Sequence, residues 1–152
     1  MRFWRICRRR FANEAASGEG ARLFGGRWNS RGVRVVYAST SLALAAVETF
    51  VNLEPKLVPA DLVSIEGEIP KSLEIAKLGE ESLPARWRGT RDESLHRFGD
   101  EWVRSGKTAV LLVPSAAIRG EWNLLLNPIH GNFGQIRFEK PVAFEFDLRM
   151  FR

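Results

Sequence analysis

The sequence predicts a mixed α+β fold, and three observations carry that expectation. A period-two segment at Val33 to Ala38 runs directly into a helical segment at Leu42 to Asn52. The continuous apolar run Ala109 to Val113, ended by Pro114, has the composition of a strand buried on both faces. Val142, Phe144 and Phe146 alternate with Ala143, Glu145 and Asp147, as in a strand with one wet face. A chain of 152 residues can bury a continuous core without staples. No repeat, low-complexity tract or Pro/Ser-rich linker divides it, so a single domain over residues 1–152 is expected.

Taken in order, Phe3 to Ile6 reads as a short strand. A loop follows that contains Gly18, Gly20, Gly25 and Gly26, where the backbone can enter conformations closed to other residues, and it ends at Arg27-Trp28-Asn29. In the next strand Val33, Val35 and Tyr37 share the more apolar face. Ser39-Thr40-Ser41 then offers hydroxyl caps for the helix from about Leu42 to Asn52, whose end is signalled by Pro55. Val63, Ile65 and Ile69 predict a strand closed by Pro70. Thr90-x-x-Glu93 has capping-box spacing, and Leu95, Phe98 and Trp102 mark one face of a helix that Gly106 stops. The Ala109 to Val113 strand leaves Ser115 just past its end, and strands at Phe133 to Phe138 and Val142 to Asp147 complete the pattern.

Composition excludes several classes. With 45% hydrophobic and 27% charged residues, the chain belongs with folded rather than disordered sequences. The apolar block Leu42 to Val47 is far short of the ~20 residues a membrane-spanning helix needs. The first ten residues hold five arginines with no apolar stretch or cleavage site behind them, so a cytosolic location is expected. Cys7 is the only cysteine; it excludes an internal disulfide and reads as a partly buried thiol. With only His96 and His130 as imidazoles, no spaced set of metal ligands is present. Gly20 to Gly25 has P-loop glycine spacing, but Gly26 and Arg27 stand where Lys and Ser/Thr belong. No G-x-G-x-x-G follows a strand, and no G-x-S-x-G surrounds Ser115, so Ser115 is not expected to be a nucleophile.

The net charge of +5 is local: residues 1–34 carry nine arginines against Glu14 and Glu19, which leaves −2 for the rest. Such a block suits nucleic acid, an acidic partner or a phosphorylated small molecule. Within it, Gly25-Gly26-Arg27-Trp28-Asn29 sets a guanidinium beside two glycines, which suits bidentate phosphate binding; the same residues also make an ordinary surface turn. Glu48 has Leu44, Ala45, Val51 and Asn52 as helical neighbours. It is either a solvent-facing helix former or a carboxylate that opposes developing positive charge. Ser115 reads as a capping hydroxyl or a site residue, Tyr37 as core or stacking platform, Asn123 and Asn127 as equally open, and His130 as a hydrogen-bonded structural histidine.

Together and in this order, GGRWN at 25–29, VVYAS at 35–39, ALAAVE at 43–48, VPSA at 113–116 and NLLLNPIH at 123–130 resemble the RES family, and FGDEW at 98–102 looks like that family's central helix. The resemblance covers nearly the whole chain. Gly131 departs from it, where the family often has proline. The Arg, Glu and Ser for which the family is named match Arg27, Glu48 and Ser115. The resemblance implies an ADP-ribosyltransferase-like domain with a split mixed or antiparallel sheet flanked by helices. It also implies a cytosolic toxin that cleaves the nicotinamide–ribose bond of NAD with water or phosphate as acceptor, or alternatively transfers ADP-ribose to a protein. No cofactor beyond NAD as substrate is implied, and the implied partner is an Xre-like helix-turn-helix antitoxin that covers the site. In that reading Arg27 holds the pyrophosphate, Tyr37 or Trp28 stacks on nicotinamide, and Glu48 opposes charge on the ribose. Ser115 hydrogen-bonds the ribose or the amide, and Asn29 and Asn123 complete the polar shell.

A reading of another class is a nucleic-acid-binding module built on the arginine-rich amino terminus and exposed tryptophans. It predicts binding that weakens steeply with salt, and the acidic remainder of the chain works against it.

Overall fold

The computed structural model describes residues 1–89 and 93–152, so the Thr90 end of the expected capping box lies outside the described residues. In chain order the elements are β1 (Arg2–Arg8), a 3-10 turn (Arg9–Glu14), α1 (Glu19–Phe24), β2 (Val36–Ser39) and α2 (Leu42–Phe50). Next come β3 (Leu62–Glu68), β4 (Ile75–Lys77), α3 (His96–Ser105), β5 (Val110–Pro114), β6 (Trp122–Leu126), β7 (Arg137–Phe138) and β8 (Val142–Ala143). The strands run in the order β4-β5-β6-β2-β1-β3-β7, and β8 also pairs with β3. Only β4 and β5 are parallel among the described pairs, so the sheet is mixed and mainly antiparallel, as expected.

Side-chain alternation divides the core between the two sheet faces. Val36, Ala38, Val110, Leu124 and Leu126 pack on one face with Phe3 and Ile69. Val35, Leu111, Val113 and Leu125 pack on the other against Trp102 and Val103 of α3 and against Trp28, Trp87 and Leu95. The run Leu124-Leu125-Leu126 is fully buried because β6 lies between β5 and β2. On β1, Phe3 lies opposite Gly67, where an added Cβ would fall 1.9 Å from the Phe3 ring, so that ring occupies the space a side chain would need.

The sheet is nearly divided between β1 and β2. All seven residues of β1 find partners on β3, yet β1 and β2 meet at one register position, Trp4 opposite Ser39. Beside it the Arg5 guanidinium enters the gap and donates from Nη1 to the Tyr37 carbonyl at 2.8 Å. Its Nε is buried without a hydrogen-bond partner among the described residues, and burial lowers the arginine's pKa while the neighbouring Cys7 works the other way.

Several local expectations change. The glycine-rich loop holds α1, entered at Gly18 (φ 68°) and left at Gly25 (φ 70°), both in backbone conformations that favour glycine. Residues Phe133–Gln135 form a 3-10 turn, leaving only Arg137–Phe138 as strand. The expected strand Val142 to Asp147 is strand only at Val142–Ala143, with one further backbone bond from Phe144 N to Leu62 O at 2.9 Å. Phe144 and Phe146 instead join a ring cluster with Phe50 of α2 and Phe151, with centroids 5.1 to 6.1 Å apart.

The arginine block is largely tied down. Arg2 pairs with Glu66, Arg8 with Asp61, and Arg22 and Arg34 both with Glu19. Trp28, Trp87 and Trp102 are buried. Both findings weigh against a stacking and phosphate-tracking surface at the amino terminus. Among the described residues no helix is long and apolar enough to cross a membrane.

Candidate active site

The site is assembled where β2 gives way to α2. Ser41 caps α2, its hydroxyl accepting from Leu44 N at 3.0 Å, so the helix starts immediately after the strand. Glu48 then falls about two turns along, on the side that buries Leu44 and Ala45. This removes the solvent-facing alternative. Glu48 Oε1 accepts from Ser115 Oγ and from Asn123 Nδ2, both at 2.6 Å. Among the described residues both hydrogen bonds to the carboxylate fall on Oε1.

Strand register brings the partners together. Asn123 of β6 lies opposite Ser39 of β2 on one side and Val113 of β5 on the other, two residues before Ser115. Ser39 Oγ donates to Asn123 Oδ1 at 2.7 Å, which turns the amide so that its N–H meets Glu48. Ser39 is 4% exposed and was not expected in the site, because the Ser39-Thr40-Ser41 run accounts for itself as helix caps. Its spacing of two from Tyr37 on one strand was the available signal. Thr40 Oγ1 adds a bond to Trp122 O at 3.0 Å across the same strand pair.

Ser115 requires a correction of role. It is fully buried; its hydroxyl proton goes to Glu48, and its oxygen accepts from Ile118 N at 3.0 Å. It therefore orients Glu48 from within the protein and has no proton left for the ribose or the nicotinamide amide.

Arg27 sits on a turn closed by Gly26 N donating to Asn29 O at 3.1 Å. Arg27 is partly exposed, and its guanidinium donates from Nη1 to Trp87 O at 3.0 Å. Trp28 and Asn29, both expected to touch substrate, are corrected. Trp28 is 3% exposed, its indole packed 5.7 Å from Trp87 and 6.4 Å from Phe98, so it is core. Asn29 is fully buried, its amide donating to the carbonyls of Ala21, Ser30 and Val33 and its Oδ1 accepting from Tyr37. Tyr37 is partly exposed, but its hydroxyl is engaged inside: it donates to Asn29 Oδ1 at 2.6 Å and accepts from Trp28 N at 3.1 Å. Burial, the largest influence, pushes the Tyr37 phenol well above its ordinary pKa.

His130 and Asn127 shape the 127–132 turn: His130 Nδ1 accepts from Asn132 N, and Asn127 Oδ1 accepts from Ile129 N. Among the described residues no group of three or more His, Cys, Asp or Glu side chains could hold a metal ion.

The chain matches the RES domain over residues 2–147. It belongs to the RES-domain family. A relative of this RES domain from Sphingobium sp. (strain YBL2), named Prs ADP-ribosylating toxin, is 40% identical over 157 residues, covering 99% of this chain and 96% of the relative. A Yersinia enterocolitica relative named Toxin Res is 34% identical over 152 residues and 99% of both chains. The RES domain also superposes, with a TM-score of 0.70 at 20% identity, on a chain of the M. tuberculosis MbcT–MbcA toxin–antitoxin complex, over 94% of this chain and 83% of that one. The shared fold bears out the α+β class with its mixed sheet.

Proposed function

We propose that this RES domain is the toxin of a toxin–antitoxin pair and that it acts on NAD by breaking the bond between nicotinamide and ribose. The observation that carries the reading is the Glu48 carboxylate, gripped through one oxygen by Ser115 and Asn123 while the other accepts no hydrogen bond among the described residues. When the bond between ribose C1′ and the pyridinium nitrogen breaks, its electron pair goes to the ring, leaving neutral nicotinamide. Positive charge develops on C1′ and the ribose ring oxygen. A carboxylate already fixed in place opposes that charge without reorganising during the reaction. The acceptor then bonds to C1′ and releases a proton, which Oε2 can take and pass to solvent. Arg27 supports binding rather than bond cleavage, since a partly exposed arginine on a well-held turn suits a pyrophosphate.

Water or phosphate as acceptor makes the protein an NAD-depleting enzyme. A second reading, transfer of ADP-ribose to a protein, is favoured by the name of the 40% identical relative. The antitoxin in the complex that contains the structural relative supports a protein partner here, and an Xre-like antitoxin that covers Glu48 fits both readings. The test is to incubate the chain, freed of any partner, with adenylate-labelled NAD, with and without phosphate and with a cell extract. Nicotinamide release that leaves the label on ADP-ribose or its phosphate ester supports NAD depletion. Label retained on an extract protein supports transfer. Absence of nicotinamide release in every condition overturns both.

A further inference from the structure

Asp100 is a buried acid that the NAD-cleaving chemistry leaves unused. It lies on α3 at 5% exposure. Oδ1 accepts from Ser30 N at 2.9 Å and Oδ2 from Ser30 Oγ at 2.6 Å. A buried carboxylate is costly to desolvate, and among the described residues its hydrogen bonds all go to Ser30. Just before it, Gly99 lets α3 approach the same turn: a Cβ there would stand 2.0 Å from the Trp28 carbonyl oxygen. From the sheet side, the Tyr37 hydroxyl holds Trp28 N and Asn29 Oδ1, and comes so near that a Cβ on Gly26 would lie 2.6 Å from it.

The turn 26–30 is thus clamped between β2 and α3, its two central side chains, Trp28 and Asn29, sealed in the core. Arg27 is the cationic side chain this clamp presents.

We infer that Asp100 is a positioning residue for Arg27, and that by fixing Ser30 it sets the affinity of the domain for pyrophosphate-bearing ligands. This rests on the reading of Arg27 as the pyrophosphate clamp. A guanidinium fork gains its advantage from geometry, and a shift of about 1 Å in its anchoring turn is enough to cost about 100-fold.

The test uses two ligands that separate binding from chemistry. ADP-ribose carries the pyrophosphate and no nicotinamide; nicotinamide riboside carries the scissile bond and no pyrophosphate. In wild type, Asp100→Asn, Asp100→Ala, Ser30→Ala and Arg27→Ala, ADP-ribose binding is measured by calorimetry and nicotinamide release is measured from NAD and from the riboside. Asp100→Ala is expected to weaken ADP-ribose binding and raise KM for NAD by about 10- to 100-fold, as Arg27→Ala does, with kcat and riboside cleavage close to wild type. Asp100→Asn, which can still accept from Ser30 N, is expected to recover part of the loss. Ser30→Ala, which keeps the backbone bond, gives a smaller shift in the same direction and serves if Asp100→Ala fails to fold.

Equal losses with ADP-ribose and with the riboside would reduce Asp100 to a general structural role and overturn the inference. So would unchanged ADP-ribose affinity in folded Asp100→Ala or Ser30→Ala. Wild-type protein that binds ADP-ribose but cleaves neither substrate would refute the NAD reading, while the binding series would still decide Asp100. Wild type that does neither overturns both.

Discussion

Replacing Glu48 with glutamine removes a charge and almost nothing else. Glutamine Oε1 can still accept from Ser115 Oγ and Asn123 Nδ2, now both at 2.6 Å from the carboxylate, and its amide nitrogen takes the place of Oε2. Each of these two bonds changes from a charged acceptor, worth about 1.5–3 kcal/mol, to a neutral one, worth about 0.5–1.5 kcal/mol. The combined loss of roughly 2–3 kcal/mol is offset in part because a charge need no longer be held at a half-buried position, leaving a net cost of about 1–2 kcal/mol. For a chain of this length that lowers Tm by roughly 2–8 °C, so the variant stays folded. Turnover should suffer far more. Losing a preorganised group aimed at transition-state charge costs about 10²–10³ in kcat, or about 2.7–4 kcal/mol. The assay is nicotinamide release at saturating NAD, beside ADP-ribose affinity and a thermal melt of the same preparation. A variant whose binding and turnover fall together, or whose kcat stays within about tenfold of wild type, would refute the assignment of Glu48 to charge stabilisation.

Three further expectations follow from the same geometry. Arg27→Ala should raise KM for NAD by about 10- to 100-fold with little change in kcat; unchanged affinity would show that another group holds the pyrophosphate. Ser39→Ala frees the Asn123 amide to turn, and kcat should fall by about tenfold, whereas an unchanged rate would mean that Glu48 orients Asn123 unaided. Tyr37 is the only tyrosine, so its ionisation can be followed by absorbance at 295 nm. Because its pKa is raised in the fold, the neutral phenol contributes stability that is fully present below the free value of about 10 and is lost as pH rises from there toward the folded value. The absorbance should therefore stay flat through pH of about 10 and rise only as near-UV circular dichroism collapses; a midpoint near the free value with the fold intact would place the hydroxyl in water.

The parts of the fold that were legible are those in which a local pattern has a local cause. Alternation marked β2, the Ser41 hydroxyl marked the start of α2, and the apolar run ended by Pro114 marked β5. Where a pattern is compatible with two causes, the sequence did not choose between them. Phe144 and Phe146 alternate as in a strand, but any extended segment places residues two apart on one side, and here that side meets Phe50 and Phe151 instead of a ladder. The segment holding α1 was hidden because glycines that cap a short helix look like glycines of a loop until their φ values are known. β4 has only three residues and exists by virtue of its parallel pairing with β5, a contact made across 35 positions of sequence from Ile75 to Val110.

At the site, the sequence conveyed chemical capability and the fold decided access. An indole, an amide and a hydroxyl on a loop beside an arginine look like a binding surface, yet Trp28 and Asn29 turned out to be the interior of the turn that carries Arg27, and Ser115 the interior support of Glu48. Glu48 was the position where local periodicity nearly sufficed, since Leu44 and Ala45 had to face the sheet and took the carboxylate with them. Ser39 and Asp100 could not be found in this way, because each acts through a residue distant in sequence: Ser39 on Asn123 across a strand pair, Asp100 on Ser30 from α3 to the turn that carries Arg27. Arg27 and Glu48, both partly exposed, are supported from inside: Glu48 by the buried Ser115 together with Asn123, and the turn that carries Arg27 by Asp100 through Ser30. That arrangement explains why substitutions at Ser39 or Asp100, which touch no substrate, are expected to alter turnover and binding separately instead of simply unfolding the protein.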